Sequence, residues 1–339
     1  MSRLAAPVAR TRTAVRAALV AVPRGATVIV ACSGGADSTA LAHACAFVAP
    51  RIGLTCGLVT VDHGLQEGSA DRAAAVAAMG RDLGMAFADV AAVTVGRAGG
   101  PEGAARSARY AALDAAGERH GAAAILLGHT RDDQAETVLL ALARGSGPRG
   151  LSGMPVRRGV YVRPFLDVSR VETVAACVSQ GADTWDDPHN VDPAYARSRV
   201  RAAMPVLVDV FGPRFVANLA RTASLVAEDA TTLDAIAAEA LAVAVMGTER
   251  AAGAGSSTRE ERSTSRLPVA AVRDLPRAIR TRVLHRFAVA AGADDADLAY
   301  VHIDAMDALV ARWRGQGPVH LPGGVTVARD AGVLRTARS

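Results

Sequence analysis

The chain has no lysine: all 38 of its lysine-or-arginine positions are arginine. That excludes a Walker P-loop, which sets a lysine amine on the nucleotide phosphates. It also excludes Schiff-base catalysis, which needs a lysine amine to condense with a carbonyl. Cysteine is scarce as well. Cys32, Cys45, Cys56 and Cys177 include no pair at C-x-x-C spacing, which argues against zinc ribbons and thioredoxin-type redox sites. Cys32, Cys45 and Cys56 sit among apolar residues and are expected as buried small hydrophobes, structural thiols of a reducing compartment. No apolar run approaches the ~18 residues of a membrane span. Arginines interrupt the N-terminal stretch MSRLAAPVARTRTAVRAALVAV, which reads as an amphipathic first helix rather than a signal peptide. A cytoplasmic protein with no membrane partner is expected.

What is present is an ordinary globular composition, 50% apolar and 21% charged, which excludes general disorder. The 339 residues suggest about two domains and suffice to bury a core without disulfide or metal staples. Short β-rich runs alternate with alanine-rich helical stretches through the first half. Strands are expected at 27–32, 54–62, 86–94, 124–127 and 159–164, with helices at 37–48, 69–83, 102–120, 131–143 and 169–180. The alternation predicts an α/β domain: a parallel sheet with helices on both faces. Ligands of such sheets bind at the carboxyl ends of the strands. The strand pattern stops near residue 212, so the expected division is 1–212 and 213–339. The second, smaller domain reads as mostly helical: a long helix at 215–245, a flexible Gly/Ser-rich segment at 247–266, helices at 275–291 and 294–314, and small hairpins in the tail.

The motifs fall at strand ends. Ser33-Gly34-Gly35-Ala36-Asp37-Ser38 follows the first strand and opens a helix. Its glycines let backbone N–H groups turn inward as an anion nest, and the helix N-terminus adds partial positive charge. Asp37 would repel phosphate, so a magnesium ion or a polar substrate group suits it better. Asp62 and His63 end the second strand, where they can meet ribose, adenine or an incoming substrate, or merely form a turn. Arg106 and Arg109 lie three apart on one helix face, either for phosphate or as a solvated face compensated by Glu102. In Gly128–Thr137, GHTRDDQAET, Asp132 and Glu136 share a face, a repulsion that a cation would reverse. Thr130 and Asp133 can also form a capping box, which leaves His129 and Glu136 without a structural reason.

SGGADS resembles the pyrophosphatase loop of the N-type ATP pyrophosphatases. With it go VDHGL at 61–65, the AR..RY pattern of Arg106 to Tyr110, GHTRDDQAET, the arginine- and glycine-rich 144–154, Arg163–Leu166, WDDPHNVD at 185–192 and RSRVR at 197–201. Together these motifs, over about residues 27–205, resemble the tRNA(Ile)-lysidine synthase family. The chain departs from the family pattern at Gln66, His189 and Ser198. The resemblance implies adenylation by ATP of the wobble cytidine of a tRNA(Ile) with a CAU anticodon. Free L-lysine then displaces AMP to give lysidine. It implies Ser33, Gly34, Gly35, Ala36, Asp37 and Ser38 on ATP, with Asp62 and His63 beside it. Asp132, Asp133 and Glu136 would serve Mg²⁺ and the substrate lysine, with Asp37 and Asp133 as the magnesium ligands. His129 or a carboxylate would take the proton that a lysine amine, of pKa about 10.4, must lose. Arg106, Arg109 and Arg197 would serve the adenylate or the tRNA.

In the second domain, Arg273, Arg277 and Arg280, with Arg282 and Arg286 beside them, suggest a basic face for tRNA phosphates. Longer family members carry a further C-terminal domain, and this chain is expected to be too short for a full one; a homodimer stays open. Two other classes remain: another tRNA-modifying or amidating enzyme on the same loop, and a non-catalytic adenine-nucleotide-binding protein.

Overall fold

The computed structural model describes residues 4–64, 66, 68–96, 100–185, 192–252, 266–295 and 297–338. They form two compact units, Met1–Ala227 and Glu228–Ser339. The boundary lies beyond the expected 212 because a single helix, Phe215–Ala252, runs unbroken through it. That helix also absorbs the first residues of the segment expected to be flexible. Residues 253–265 of that segment lie outside the described residues.

In the first unit, α1 (Ala6–Leu19) leads into β1 (Thr27–Ala31), α2 (Ala36–Arg51), β2 (Thr55–Asp62), α3 (Ser69–Asp82) and β3 (Ala88–Ala92). There follow α4 (Gly100–Arg119), β4 (Ala122–Leu127), α5 (Arg131–Ala143) and the single turn α6 (Pro148–Leu151). The two-residue strands β5 (Arg157–Arg158) and β6 (Tyr161–Val162) precede α7 (Arg170–Ser179) and α8 (Ala196–Phe211). Helix α8 was not expected from the sequence. The sheet order is β3-β2-β1-β4-β6-β5, parallel except for the β5–β6 pair.

Strand β1 is buried on both faces, as a central parallel strand must be. Val28 and Val30 join the core formed with α1, α2 and α7. Ile29, pointing the other way, joins Leu113 and Ala116 of α4 on the opposite face. Each such side chain contributes roughly 1.5–3 kcal/mol on burial. Helix α1 buries Val8, Thr11, Val15 and Leu19, the apolar stripe of an amphipathic helix. All four cysteines are buried and free. The chain crosses from one side of β1 to the other between β3 and β4, so the carboxyl ends of β1 and β4 open a crevice.

The second unit begins within α9 (Phe215–Ala252) and continues through β7 (Arg266–Pro268), α10 (Val269–Val272), α11 (Arg277–Ala290) and α12 (Tyr300–Ala311). It ends with β8 (Val319–Leu321), β9 (Val325–Asp330) and β10 (Val333–Arg338). The strands form one antiparallel sheet, β7-β10-β9-β8. Leu267, Val283, Leu284, Met306, Leu309, Val327 and Leu334 fill the core of this unit. Both hairpins expected in the tail are present.

The arginine face is a correction. Arg273 follows α10 rather than lying on α11, and it pairs with Asp274. Arg277 pairs with Asp304 at 2.8 Å, and Arg282 pairs with Asp234 at 3.0 Å. Arg280 is buried: its Nε donates to Asp307 Oδ1 at 2.6 Å, and its Nη1 donates to the Arg273 and Leu275 carbonyls. Carboxylates distant in sequence thus neutralise most of the face. Removing one partner of a buried pair typically costs about 3–5 kcal/mol. Asp307→Ala is therefore expected to lower the unfolding free energy of the second unit by an amount of that order, read as a lower denaturation midpoint. A midpoint equal to the parent's would refute the assignment.

Candidate active site

The crevice holds a cavity of about 560 Å³. The loop between β1 and α2 forms its floor. Gly34 sits at φ +86°, where a side chain would be strained and would also press on Val76. Ser38 Oγ accepts from the Ser33 amide at 3.1 Å and donates to the Gly35 carbonyl at 3.0 Å. The Trp185 amide donates to the Gly34 carbonyl at 2.9 Å, and Arg72 stacks on the Trp185 ring at 4.1 Å. The loop is therefore held from within and from outside, with the N-terminus of α2 at the cavity. This is an anion-binding geometry.

From β4 the chain turns through Gly128 and His129 into α5. Thr130 caps α5: its hydroxyl accepts from the Asp133 amide, while its own amide donates to Asp133 Oδ2 at 2.8 Å. The capping box read from the sequence exists, and it uses only one carboxylate oxygen. The other, Asp133 Oδ1, receives Arg170 Nη2 at 2.9 Å and Arg201 Nη2 at 3.4 Å. Arg170 also reaches Asp37 Oδ2 with Nε and Glu136 Oε1 with Nη1, both at 3.4 Å. Its backbone amide donates to Asp132 Oδ2 at 2.8 Å. Arg201 Nε donates to Glu136 Oε1 at 2.8 Å, and the Thr173 hydroxyl donates to Asp37 Oδ1.

Of the residues expected from the sequence, Ser33, Gly35, Ala36, Asp37, Ser38, Asp62, His63, Arg109, His129 and Asp133 line this cavity. Gly34 shapes the loop. Four expected residues take other places. Asp132 caps the first amide of α7. Glu136 is 2% exposed beneath the guanidiniums of Arg170, Arg197 and Arg201. Arg106 is exposed and bonds Tyr110. Arg197 donates to Thr137 at 2.9 Å. His189 lies outside the described residues, as does the rest of 186–191.

Arg170, Thr173 and Arg201 are the residues that sequence reading missed as a group. A signal for Arg170 was present: Ser169 and Glu172 form a capping box, so Arg170 opens a helix, where a cation opposes the macrodipole.

The electrostatics follow the burial. Burial raises the Asp37 carboxyl above its ordinary range, against the pull of Thr173 and Arg170, and the nearby Asp133 charge adds to the rise. Burial works in the same direction on Asp133. There Arg170, the Thr130 amide and His129 outweigh it, and the carboxyl is held low. Burial, with Arg163, Arg109 and Arg197 opposing Asp133, depresses His129 to about 3. His129 is thus neutral at physiological pH.

Among the described residues, no group of three or more His, Cys, Asp or Glu side chains is arranged to hold a metal ion. Asp37 and Asp133 do fit a magnesium ion in donor type, being hard oxygens. Arg170 already lies between them, so a magnesium ion would share these oxygens with its guanidinium.

Residues 10–207 match the PP-loop domain model, and residues 267–335 match the TilS substrate binding domain model. The tRNA(Ile)-lysidine synthase of Salinispora tropica is 56% identical over 340 residues, covering 98% of this chain and 97% of that protein. The chain belongs to the tRNA(Ile)-lysidine synthase family. The Thermobifida fusca member is 56% identical over 318 residues, covering 94% of this chain and 93% of its own. Among solved structures, the U34-tRNA thiolase NcsA from Methanococcus maripaludis matches with a TM-score of 0.54 at 16% identity, over 66% of this chain and 80% of that one. At that identity the likeness concerns the fold alone. Family membership and the nucleotide-binding loop agree with the two-domain reading of the motifs.

Two outcomes follow. A Cβ on Gly128 would stand 3.0 Å from the backbone of Ser38, which cannot give way without moving the loop. Gly128→Ala should weaken ATP binding about tenfold or more, given the 1–3 kcal/mol typical of overpacking. Calorimetric titration with ATP checks this, and unchanged affinity would refute it. His129 is held at about 3 when folded against an ordinary value near 6.5. Below pH 6.5 the unfolded chain binds a proton that the native one refuses, so native stability falls as pH drops from 6.5 toward 3. His129→Asn should flatten that acid limb of the melting temperature. An identical limb would refute the assignment.

Proposed function

We propose that the chain joins free L-lysine to C2 of the wobble cytidine of tRNA(Ile) bearing a CAU anticodon, through an adenylated cytidine. In the first half, the cytosine 2-oxygen takes AMP from ATP and pyrophosphate leaves. In the second, the lysine ε-amine bonds to C2, AMP leaves and the amine gives up its proton. The observation that carries the reading is that the phosphate-binding loop and Asp133 of α5 line one cavity.

The chain's own residues divide the work. Ser33, Gly35, Ser38 and the N-terminus of α2 hold phosphate oxygens. Arg109 lines the same cavity, and its buried Nε has no hydrogen-bond partner, so it is available to the adenylate. Asp133 lines the cavity with its carboxyl held low, which suits it to orient an ammonium. The proton passes to neutral His129 or to a carboxylate of the cavity, of which Asp37 is the one that burial raises. Asp37 and Asp133 are the residues that would hold Mg²⁺, which when bound neutralises charge developing on the phosphates. An unpaired anticodon base can be splayed into such a cavity. ATP, tRNA and free lysine meet in the cytoplasm, which is the compartment this reading assigns.

The test is ATP- and Mg²⁺-dependent incorporation of labelled lysine into CAU-anticodon tRNA(Ile), with methionine tRNAs as controls. Incorporation confined to the isoleucine tRNA and lost in Asp37→Ala is expected. AMP release with no lysine transferred would move the acceptor to another substrate and sink the proposal.

A further inference from the structure

Arg170 neutralises the buried carboxylates Asp133 and Glu136, and its placement does more than that. It opens α7, where a positive charge meets the positive end of the helix dipole, and it is still 27% exposed at the cavity wall. Its guanidinium nevertheless joins two elements that carry the two halves of the site. Nε holds Asp37 at the start of α2, while Nη1 and Nη2 hold Glu136 and Asp133 on α5. The guanidinium fork is planar and rigid, so it fixes a spacing where a point charge would not. The next turns of α7 continue the contact with α2. Thr173 donates to the other oxygen of Asp37, and Cys177 Sγ lies 3.3 Å from the Ala36 carbonyl oxygen. Positions 170, 173 and 177 share one helix face. That face therefore grips the first turn of α2 while its leading residue grips α5. The capping boxes of α5 and α7 seat both helices independently of the guanidinium, so the bridge is an addition to the packing.

We propose that Arg170 is a positioning residue for the reaction. It sets the distance and orientation of Asp37, on the phosphate side, relative to Asp133 and Glu136, on the amine side, so that the adenylated oxygen and the incoming nitrogen meet. The inference rests on the function proposed above. Arg170 reaches the phosphate loop through Asp37 rather than through its serines or glycines, so turnover should fall much further than nucleotide affinity when it is changed.

The test compares the parent with Arg170→Met, Arg170→Lys and Arg170→Ala, all as full-length chains. Lysine incorporation supplies kcat and KM, ATP titration of tryptophan emission supplies the nucleotide dissociation constant, and thermal melting monitors folding. A displacement of about 1 Å at a reacting centre can cost around 100-fold in rate. Arg170→Met should therefore lose kcat on that scale, while its ATP dissociation constant stays within about threefold of the parent's. Arg170→Lys should recover part of the loss, and free guanidinium ion should raise kcat of Arg170→Ala while leaving the parent unstimulated. Three results would each overturn the inference: kcat of Arg170→Met within threefold of the parent, loss of rate in proportion to loss of ATP affinity, or no response to guanidinium in a variant that melts like the parent. A parent that transfers no lysine at all would instead refute the proposed function, and the two failures are thereby distinct.

Discussion

Two backbones meet at one point, and the site depends on it. The turn leaving β4 passes Gly128 against the first turn of α2 so closely that a methyl group would strike main-chain atoms at 3.0 Å. Strands β1 and β4 are neighbours in the sheet, and each releases a helix from its carboxyl end. The absent side chain lets those helix starts approach. Every further convergence, of Asp37 with Asp133 and of the loop amides with His129, is built on that contact.

What converges there is nearly balanced in charge. Asp37, Asp133 and Glu136 face Arg170, Arg197 and Arg201, all partly or wholly withdrawn from water. A buried carboxylate without a partner would simply take up a proton. A guanidinium does not lose its own, so the arginines bring a lasting positive charge to the carboxylates they face. The asymmetry within the cluster is informative. Asp133, with a cap on one oxygen and guanidiniums on the other, stays ionised. Asp37, held by the Thr173 hydroxyl and by Arg170 Nε, is instead raised by its burial.

Much of this was legible in the sequence, for a physical reason. The phosphate loop, the cap Thr130–Asp133 and the alternation of strands and helices are local, and residues a few positions apart declare their geometry. The partners of Glu136 and Asp133 come from positions 34 to 68 residues away, and no periodicity announces them. The same limit misled the reading of the second unit. The arginines of α11 form a basic face on a helical projection, yet Asp234 and Asp307 reach them from other elements. Asp132 and Glu136 were read as ligands because like charges on one helix face ask for a cation. The cations are present, and they are arginines of the chain itself.

Helix α7 has two kinds of surface. Arg170, Thr173 and Cys177 face the first turn of α2 and the start of α5, whereas Val171 and Val178 beside them are largely open to solvent. Drift in the first set is not free. A change at Arg170 must be answered at Asp37, 133 positions earlier, or at the acids of α5, or the alignment of all three is lost together. The second set carries no such obligation. One short helix thus couples distant stretches of the gene into a single heritable unit, while its outer residues remain open to variation.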